Sequence, residues 1–156
     1  MPEIERKFLV QAVPDRLLGR GTTIRQGYLS IEPVEVRIRS RDDEAHSLTV
    51  KSLGGLSREE VELPLTAAQF DELWPLVGAV IEKTRHLIDV DGQKLEVDVY
   101  DGNLAGLVVA EMEFSSEDEA ATFEPPSWLG REVTTDLRFR NSALALAGRL
   151  PGSLTR

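Results

Sequence analysis

The chain has 156 residues, with 18 Lys and Arg against 27 Asp and Glu, a net charge of −9 that argues against general nucleic-acid binding, which recruits a basic surface. It contains no cysteine, so disulfides and thiolate metal sites are excluded; its two histidines, His46 and His86, stand far apart, so an imidazole-rich zinc site is not expected and any metal is expected to take oxygen ligands. No apolar run approaches the ~20 residues of a membrane span and no basic, apolar leader opens the chain, so one soluble, cytoplasmic domain over residues 1–156 is expected.

Period-two alternation dominates from the start. It predicts strands over Glu3 to Leu9, Thr22 to Ile31 and Val34 to Arg41, the last two separated by Pro33. Ser47 to Ser52 and Ser57 to Leu63 read as a hairpin around Gly54-Gly55. Thr66 is an N-cap candidate for a helix over Ala67 to Val77, ended or kinked by Pro75, with Phe70, Leu73 and Trp74 on its core side. Val80 to Val90 and Gln93 to Tyr100 follow as strands joined by Asp91-Gly92, a dipeptide suited to a type I′ turn. Leu107 to Phe114 is the last predicted strand. A short helix over Glu117 to Phe123, an irregular Glu124 to Gly130 around Pro125-Pro126, and a final helix over Asn141 to Leu150 complete the chain. So many antiparallel strands in one small domain must close into a barrel or fold into a sandwich to protect their edges.

The informative feature is which charges stand two residues apart, because i and i+2 share a strand face roughly 6.7 Å apart. Glu3, Glu5 and Lys7 fall on one face, as do Arg37 with Arg39, Lys51 with Thr49, Glu60 with Glu62, Lys83 with Arg85, Glu96 with Asp98, and Glu111 with Glu113. For any single pair, a solvated sheet face is the ordinary explanation. Seven such strands, sorted into basic and acidic ones, ask for compensation of their like charges. Clustered carboxylates suit a hard divalent cation, and clustered Arg and Lys suit phosphate oxygens. Turned into a barrel, these faces make a site for a metal-bound polyphosphate.

In order along the chain, Glu3-Ile4-Glu5-Arg6-Lys7 resembles the ExExK signature of the CYTH, or triphosphate tunnel metalloenzyme, superfamily. Gln26-Gly27-Tyr28-Leu29, Val36-Arg37-Ile38-Arg39, Leu48-Thr49-Val50-Lys51 and Arg58-Glu59-Glu60-Val61-Glu62 resemble its successive strands. Lys83-Thr84-Arg85, Glu96-Val97-Asp98, Glu111-Met112-Glu113, Glu132-Val133-Thr134 and Asn141-Ser142-Ala143-Leu144 continue the match. Phe139 stands where the family has Tyr, and Leu53-Gly54-Gly55 replaces a commoner Gly-Pro run.

The resemblance implies a mainly β (α+β) fold, an eight-stranded antiparallel β-barrel tunnel with a few flanking helices. It implies metal-dependent hydrolysis of inorganic triphosphate or a small organic triphosphate, with one or two Mg²⁺ or Mn²⁺ ions. Lys7, Arg37, Arg39, Lys51, Lys83 and Arg85 are the expected phosphate cradle, with Arg138 joining from the tail. Glu3, Glu5, Glu111 and Glu113 are the first metal-ligand candidates. Glu60, Glu62, Glu96 and Asp98 either add to them or hold the arginines in salt bridges. Tyr28 and Lys83 are a candidate pair for activating water, as a Lys–Tyr dyad is implicated in some members. Family members are often dimers, so a homodimer is an expectation. The rival activities are ATP cyclisation of the class IV adenylate cyclase type, thiamine triphosphate hydrolysis, and non-catalytic polyphosphate binding. Only 6% of the residues are aromatic, and Trp128 is the one loose candidate to stack on an organic leaving group.

Overall fold

The structure is a computed structural model that describes residues 4–52 and 59–152. Nine strands form one antiparallel sheet: β1 (Ile4–Val10), β2 (Thr22–Ser30), β3 (Val34–Arg41), β4 (Ala45–Ser52), β5 (Glu60–Leu65), β6 (Ala79–Val90), β7 (Gln93–Tyr100), β8 (Val108–Phe114) and β9 (Leu129–Glu132). Their order is β5-β4-β3-β2-β6-β7-β8-β1-β9, so β2 to β5 and β6 to β8 pair with their sequence neighbours, while β2 crosses to β6 and β1 lies between β8 and β9. The outer strands β5 and β9 are not hydrogen-bonded to each other among the described residues. Side chains from β1 to β8 nevertheless line one cavity, so the sheet curls into a tunnel with an open seam.

The predicted turns behave as their chemistry dictates. Asp91 and Gly92 both have positive φ, 50° and 84°, as a type I′ turn requires. Asp42 and Asp43, each at φ 53°, make a second left-handed turn between β3 and β4 that no glycine announces. The hairpin predicted around Gly54-Gly55 lies outside the described residues, although Lys51 pairs with Glu60 just beyond it. The ninth strand falls at the end of the stretch read as irregular, where Val10 pairs with Leu129 and Phe8 with Glu132.

Helix α1 (Ala67–Leu73) opens with a capping box in which Gln69 N–H donates to Thr66 Oγ1 at 3.1 Å and Thr66 N–H to Gln69 Oε1 at 2.9 Å. Pro75 lies in the 3-10 turn Trp74–Leu76 that follows. Phe70 is buried beside His46 and Trp74, and Arg25 stacks over both Phe70 and Trp74. Gly27 lies under this turn, where a Cβ would meet Val77 Cγ1 at 2.6 Å. Helix α2 (Glu117–Thr122), capped by the Ser116 hydroxyl, covers β1 and β8. Helix α3 (Asn141–Ala147) ends earlier than predicted, because Gly148 takes the left-handed C-terminal position at φ 62°.

Strand alternation divides the apolar residues into two clusters. Phe8, Val10, Leu95, Val97, Ala110, Met112 and Phe114 face outward beneath α2, together with Trp128. Leu9, Tyr28, Ile81, Tyr100, Val109 and Leu144 share a second cluster, which occupies one end of the interior beneath α3. Among the described residues no helix is long and apolar enough to cross a membrane.

Candidate active site

Most of the charged alternate positions turn inward, and on β1, β7 and β8 the neighbouring positions belong to the outer apolar cluster. The inward charges line a cavity of about 670 Å³. Strand β1 supplies Glu5 and Lys7; β3 supplies Glu35, Arg37, Arg39 and Arg41; β4 and β5 supply Thr49, Lys51, Glu60 and Glu62. Arg85 comes from β6, Glu96 from β7, and Glu111 and Glu113 from β8, with Tyr28 on the wall and Arg140, Asn141 and Ser142 of the tail at one end. Glu3 lies outside the described residues.

Register explains how strands of one sign coexist. Lys7 pairs with Glu111, Lys51 with Glu60 and Arg85 with Asp98, so opposite charges meet at these three positions, while Arg37 and Arg39 of β3 face Tyr28, Thr49, Gln26 and Ser47. The ion pairs of the cavity are Lys7–Glu111 at 3.6 Å and Arg85–Glu96 at 3.1 Å between paired strands, Arg37–Glu35 at 3.3 Å within β3, and Arg37–Glu60 at 4.0 Å from β3 to β5. Glu35 is an interior acid that the spacing argument passes over, since Arg37 and Arg39 dominate its strand. Arg37 Nε is buried and has no hydrogen-bond partner among the described residues. Burial, together with the charges of Arg37, Arg85 and Arg41, lowers the Arg39 guanidinium to about 10.

Behind the cavity wall, Lys83 and Asp98 form a buried pair. Lys83, only 1% exposed, places Nζ 2.8 Å from Asp98 Oδ2, while Arg85 grips the same carboxylate through Nε at 2.8 Å and Nη2 at 3.0 Å. Burial alone would raise Asp98, but the charge of Lys83 and the Arg85 hydrogen bonds hold it at about 2. Burial draws Lys83 down to about 8 against the pull of Asp98. Neither side chain lines the cavity. Lys83 is held by Asp98 behind the wall, and Asp98 engages two cations. The tyrosine beside Lys83 is also not Tyr28. It is Tyr100, its register partner, with the ammonium 5.5 Å from the ring centroid. Tyr100 Oη in turn donates to Asn141 Oδ1 at 2.6 Å, tying α3 to the wall.

Arg138 is half-exposed and bidentate on Asp136, apart from the cavity; the tail arginine at the cavity is Arg140. His46 packs on Phe70, and the His86 ring lies 3.1 Å from Gly19 O, so neither enters the site.

The acidic wall has its own order. Glu5 stands opposite Glu113 in register and hydrogen-bonds the Glu111 carboxyl. Burial would raise Glu111, yet that hydrogen bond and the charge of Lys7 bring it below the usual range. Burial and the neighbouring carboxylates Asp98, Glu111 and Glu113 raise Glu96 despite Arg85. Among the described residues no three carboxylates or histidines stand close enough to enclose a metal ion by themselves.

The CYTH domain family model matches residues 1–142. The chain belongs to the CYTH family. This CYTH domain is 48% identical over 151 residues to the inorganic triphosphatase of Nitrosomonas europaea, a match spanning 94% of this chain and 99% of the relative. It is 40% identical over 146 residues to the inorganic triphosphatase of Acetivibrio thermocellus, spanning 91% and 92%. A crystal structure of an inorganic triphosphatase superposes with a TM-score of 0.77 at 43% identity, covering 97% of this chain and 98% of that one. A candidate adenylyl cyclase from Hippeastrum, with a dominant triphosphatase activity, shares the fold at 16% identity and a TM-score of 0.63, covering 96% of this chain and 98% of that one.

Proposed function

We propose that this CYTH domain is a metal-dependent triphosphatase that hydrolyses the terminal phosphoryl group of inorganic triphosphate. The observation that carries the reading is the cavity itself, which gathers Lys7, Arg37, Arg39, Lys51 and Arg85 around one space with carboxylates on the facing strands. The two inorganic triphosphatases at 48% and 40% identity support the choice of substrate. Phosphoryl transfer needs placement and charge neutralisation more than covalent help, and cations fixed in a walled cavity supply both.

The cradle arginines bind and orient the phosphate chain through charge-assisted hydrogen bonds. The unpartnered Arg37 Nε is a buried donor for which a phosphate oxygen is a fitting acceptor. Lys83 and Asp98 work behind this surface, holding Arg85 so that its guanidinium faces the cavity.

Glu5, Glu111 and Glu113, with Glu3 earlier in the same strand pattern, would hold a divalent cation. The donor set fits a hard ion in chemistry: all are carboxylates, two of them touch each other, and phosphate oxygens can complete the shell. Mg²⁺ or Mn²⁺ there would neutralise charge on the transferring phosphoryl group and acidify a water. Tyr28 is the only aromatic residue on the cavity wall among the described residues, and Trp128 belongs to the outward cluster. A base or thiazolium ring would thus find little to stack on, which favours an inorganic leaving group over cyclase or thiamine triphosphatase activity.

The test is phosphate release from tripolyphosphate, ATP and pyrophosphate, each with Mg²⁺, with Mn²⁺ and with EDTA. Metal-dependent release from tripolyphosphate, exceeding that from ATP, is expected. Its absence would sink the proposal, and cyclic AMP formed from ATP would replace it with cyclisation.

A further inference from the structure

Gln26 is a completely buried amide at the centre of β2, on the inner face with Tyr28 and opposite Arg39 in the β2–β3 register. It does not line the cavity, yet it touches two residues that do. Arg39 Nε donates to Gln26 Oε1 at 2.5 Å, and Gln26 Nε2 donates to Tyr28 Oη at 2.7 Å. The direction of this relay follows from its chemistry. A guanidinium has only donors, so it must meet the amide oxygen, which leaves the amide NH₂ for the phenol. The phenol oxygen therefore accepts from Gln26, and its own hydrogen must lie on the other side of the C–O bond.

We infer that Gln26 is a positioning residue that presents the Tyr28 O–H to the cavity as a donor for a phosphate oxygen, while fixing the angle of Arg39. The inference rests on the triphosphatase reading for the identity of the acceptor. A preset donor of this kind is worth most where charge gathers on the transferring oxygens. Burial, the largest influence on Tyr28, raises its phenol to about 12 and keeps the hydrogen in place at neutral pH.

Gln26→Glu separates the two roles. The shape is kept, and beside Arg39 the carboxylate stays ionised, so the guanidinium keeps its acceptor. The other carboxylate oxygen, however, can only accept, and it captures the Tyr28 hydrogen. The added negative charge would also repel the substrate, so the substitution is made both alone and with Tyr28→Phe, where there is no hydrogen to capture. In the cycle of four proteins the charge effect appears in both backgrounds and cancels. Gln26→Glu is expected to lower kcat/KM at least about tenfold more when Tyr28 is present than when it is replaced, the loss of a hydrogen bond to a charged group. The surplus loss should fall mainly in kcat, and the charge effect mainly in KM, a split that general loosening of the fold would not produce.

The same four proteins titrated with tripolyphosphate in EDTA by calorimetry read the coupling without turnover, as a smaller excess loss of affinity in the same direction, because the donor is worth less before charge gathers on the transferring oxygens. Equal losses in the two backgrounds, in both measurements, would overturn the assignment. Coupling in binding with no hydrolysis by the unsubstituted protein would instead overturn the triphosphatase reading and leave the relay standing.

Discussion

Asp98→Asn distinguishes a carboxylate that holds the scaffold from one that holds a metal. In the structure Asp98 accepts from Lys83 Nζ and from two nitrogens of Arg85, with only 11% of its side chain exposed. Its fall from the ordinary 3.8 to about 2 corresponds to about 2 kcal/mol of folding stability in the carboxylate's own ionisation. The sign is that of a depressed acid: the contribution is present above pH 3.8 and disappears as pH falls through about 2. Replacement by Asn also leaves the buried Lys83 ammonium facing a neutral amide, and breaking a buried pair costs about 3–5 kcal/mol. Because Asn retains one acceptor, we expect a loss near 3 kcal/mol in urea denaturation at pH 7. Repeating the melt at falling pH should show the difference between the two proteins shrinking below pH 4. Isothermal titration of Mg²⁺ or Mn²⁺ completes the experiment, with less than a threefold change in metal affinity expected. Stability within 1 kcal/mol of the unsubstituted protein, with metal affinity lost, would refute the scaffold role.

Three further outcomes follow from the site. Glu5→Gln should abolish most metal-dependent turnover, about a hundredfold in kcat, while circular dichroism stays unchanged; turnover above a third of the original would contradict its place at the ion. Arg140→Ala should raise KM for tripolyphosphate about tenfold, and by more than Arg138→Ala, since Arg140 lines the cavity and Arg138 is bound to Asp136 outside it. Gly27→Ala should lower stability by about 1–3 kcal/mol in thermal or urea melts, because its Cβ would press on Val77 at 2.6 Å under a stacked Trp74.

The strands and their inward charges were readable because alternation is a local property: Arg37 and Arg39, or Glu111 and Glu113, declare a shared face within three residues. What was not readable depended on which strand lies alongside. Lys83 and Arg85 look equivalent in the sequence, yet Arg85 reaches the cavity while Lys83 is stopped by Asp98 across the β6–β7 register. The tyrosine set against Lys83 is likewise a matter of pairing: register gives it Tyr100 and leaves Tyr28 on the cavity wall. Strand β9 carries two residues of pairing to β1 and follows two prolines, too little alternation to stand out. Arg138 and Arg140 differ by one 3-10 turn, Leu137–Phe139, which decides which of them faces inward.

The ion pairs of the cavity make it resemble a mixed-bed ion exchanger already in its self-neutralised form. Glu35, Glu60, Glu96 and Glu111 occupy Arg37, Arg85 and Lys7 before any substrate arrives. A polyanion must displace those carboxylates, and one that it frees, Glu111, is among those that would hold a cation. On the proposed function, uptake of anion and of cation are thus two halves of one exchange. Linkage then requires reciprocity: whatever factor the metal adds to triphosphate affinity, triphosphate adds to the affinity for the metal. An interior that stores its charges as paired salts can remain folded while empty, and still admit the substrate and its counterion together.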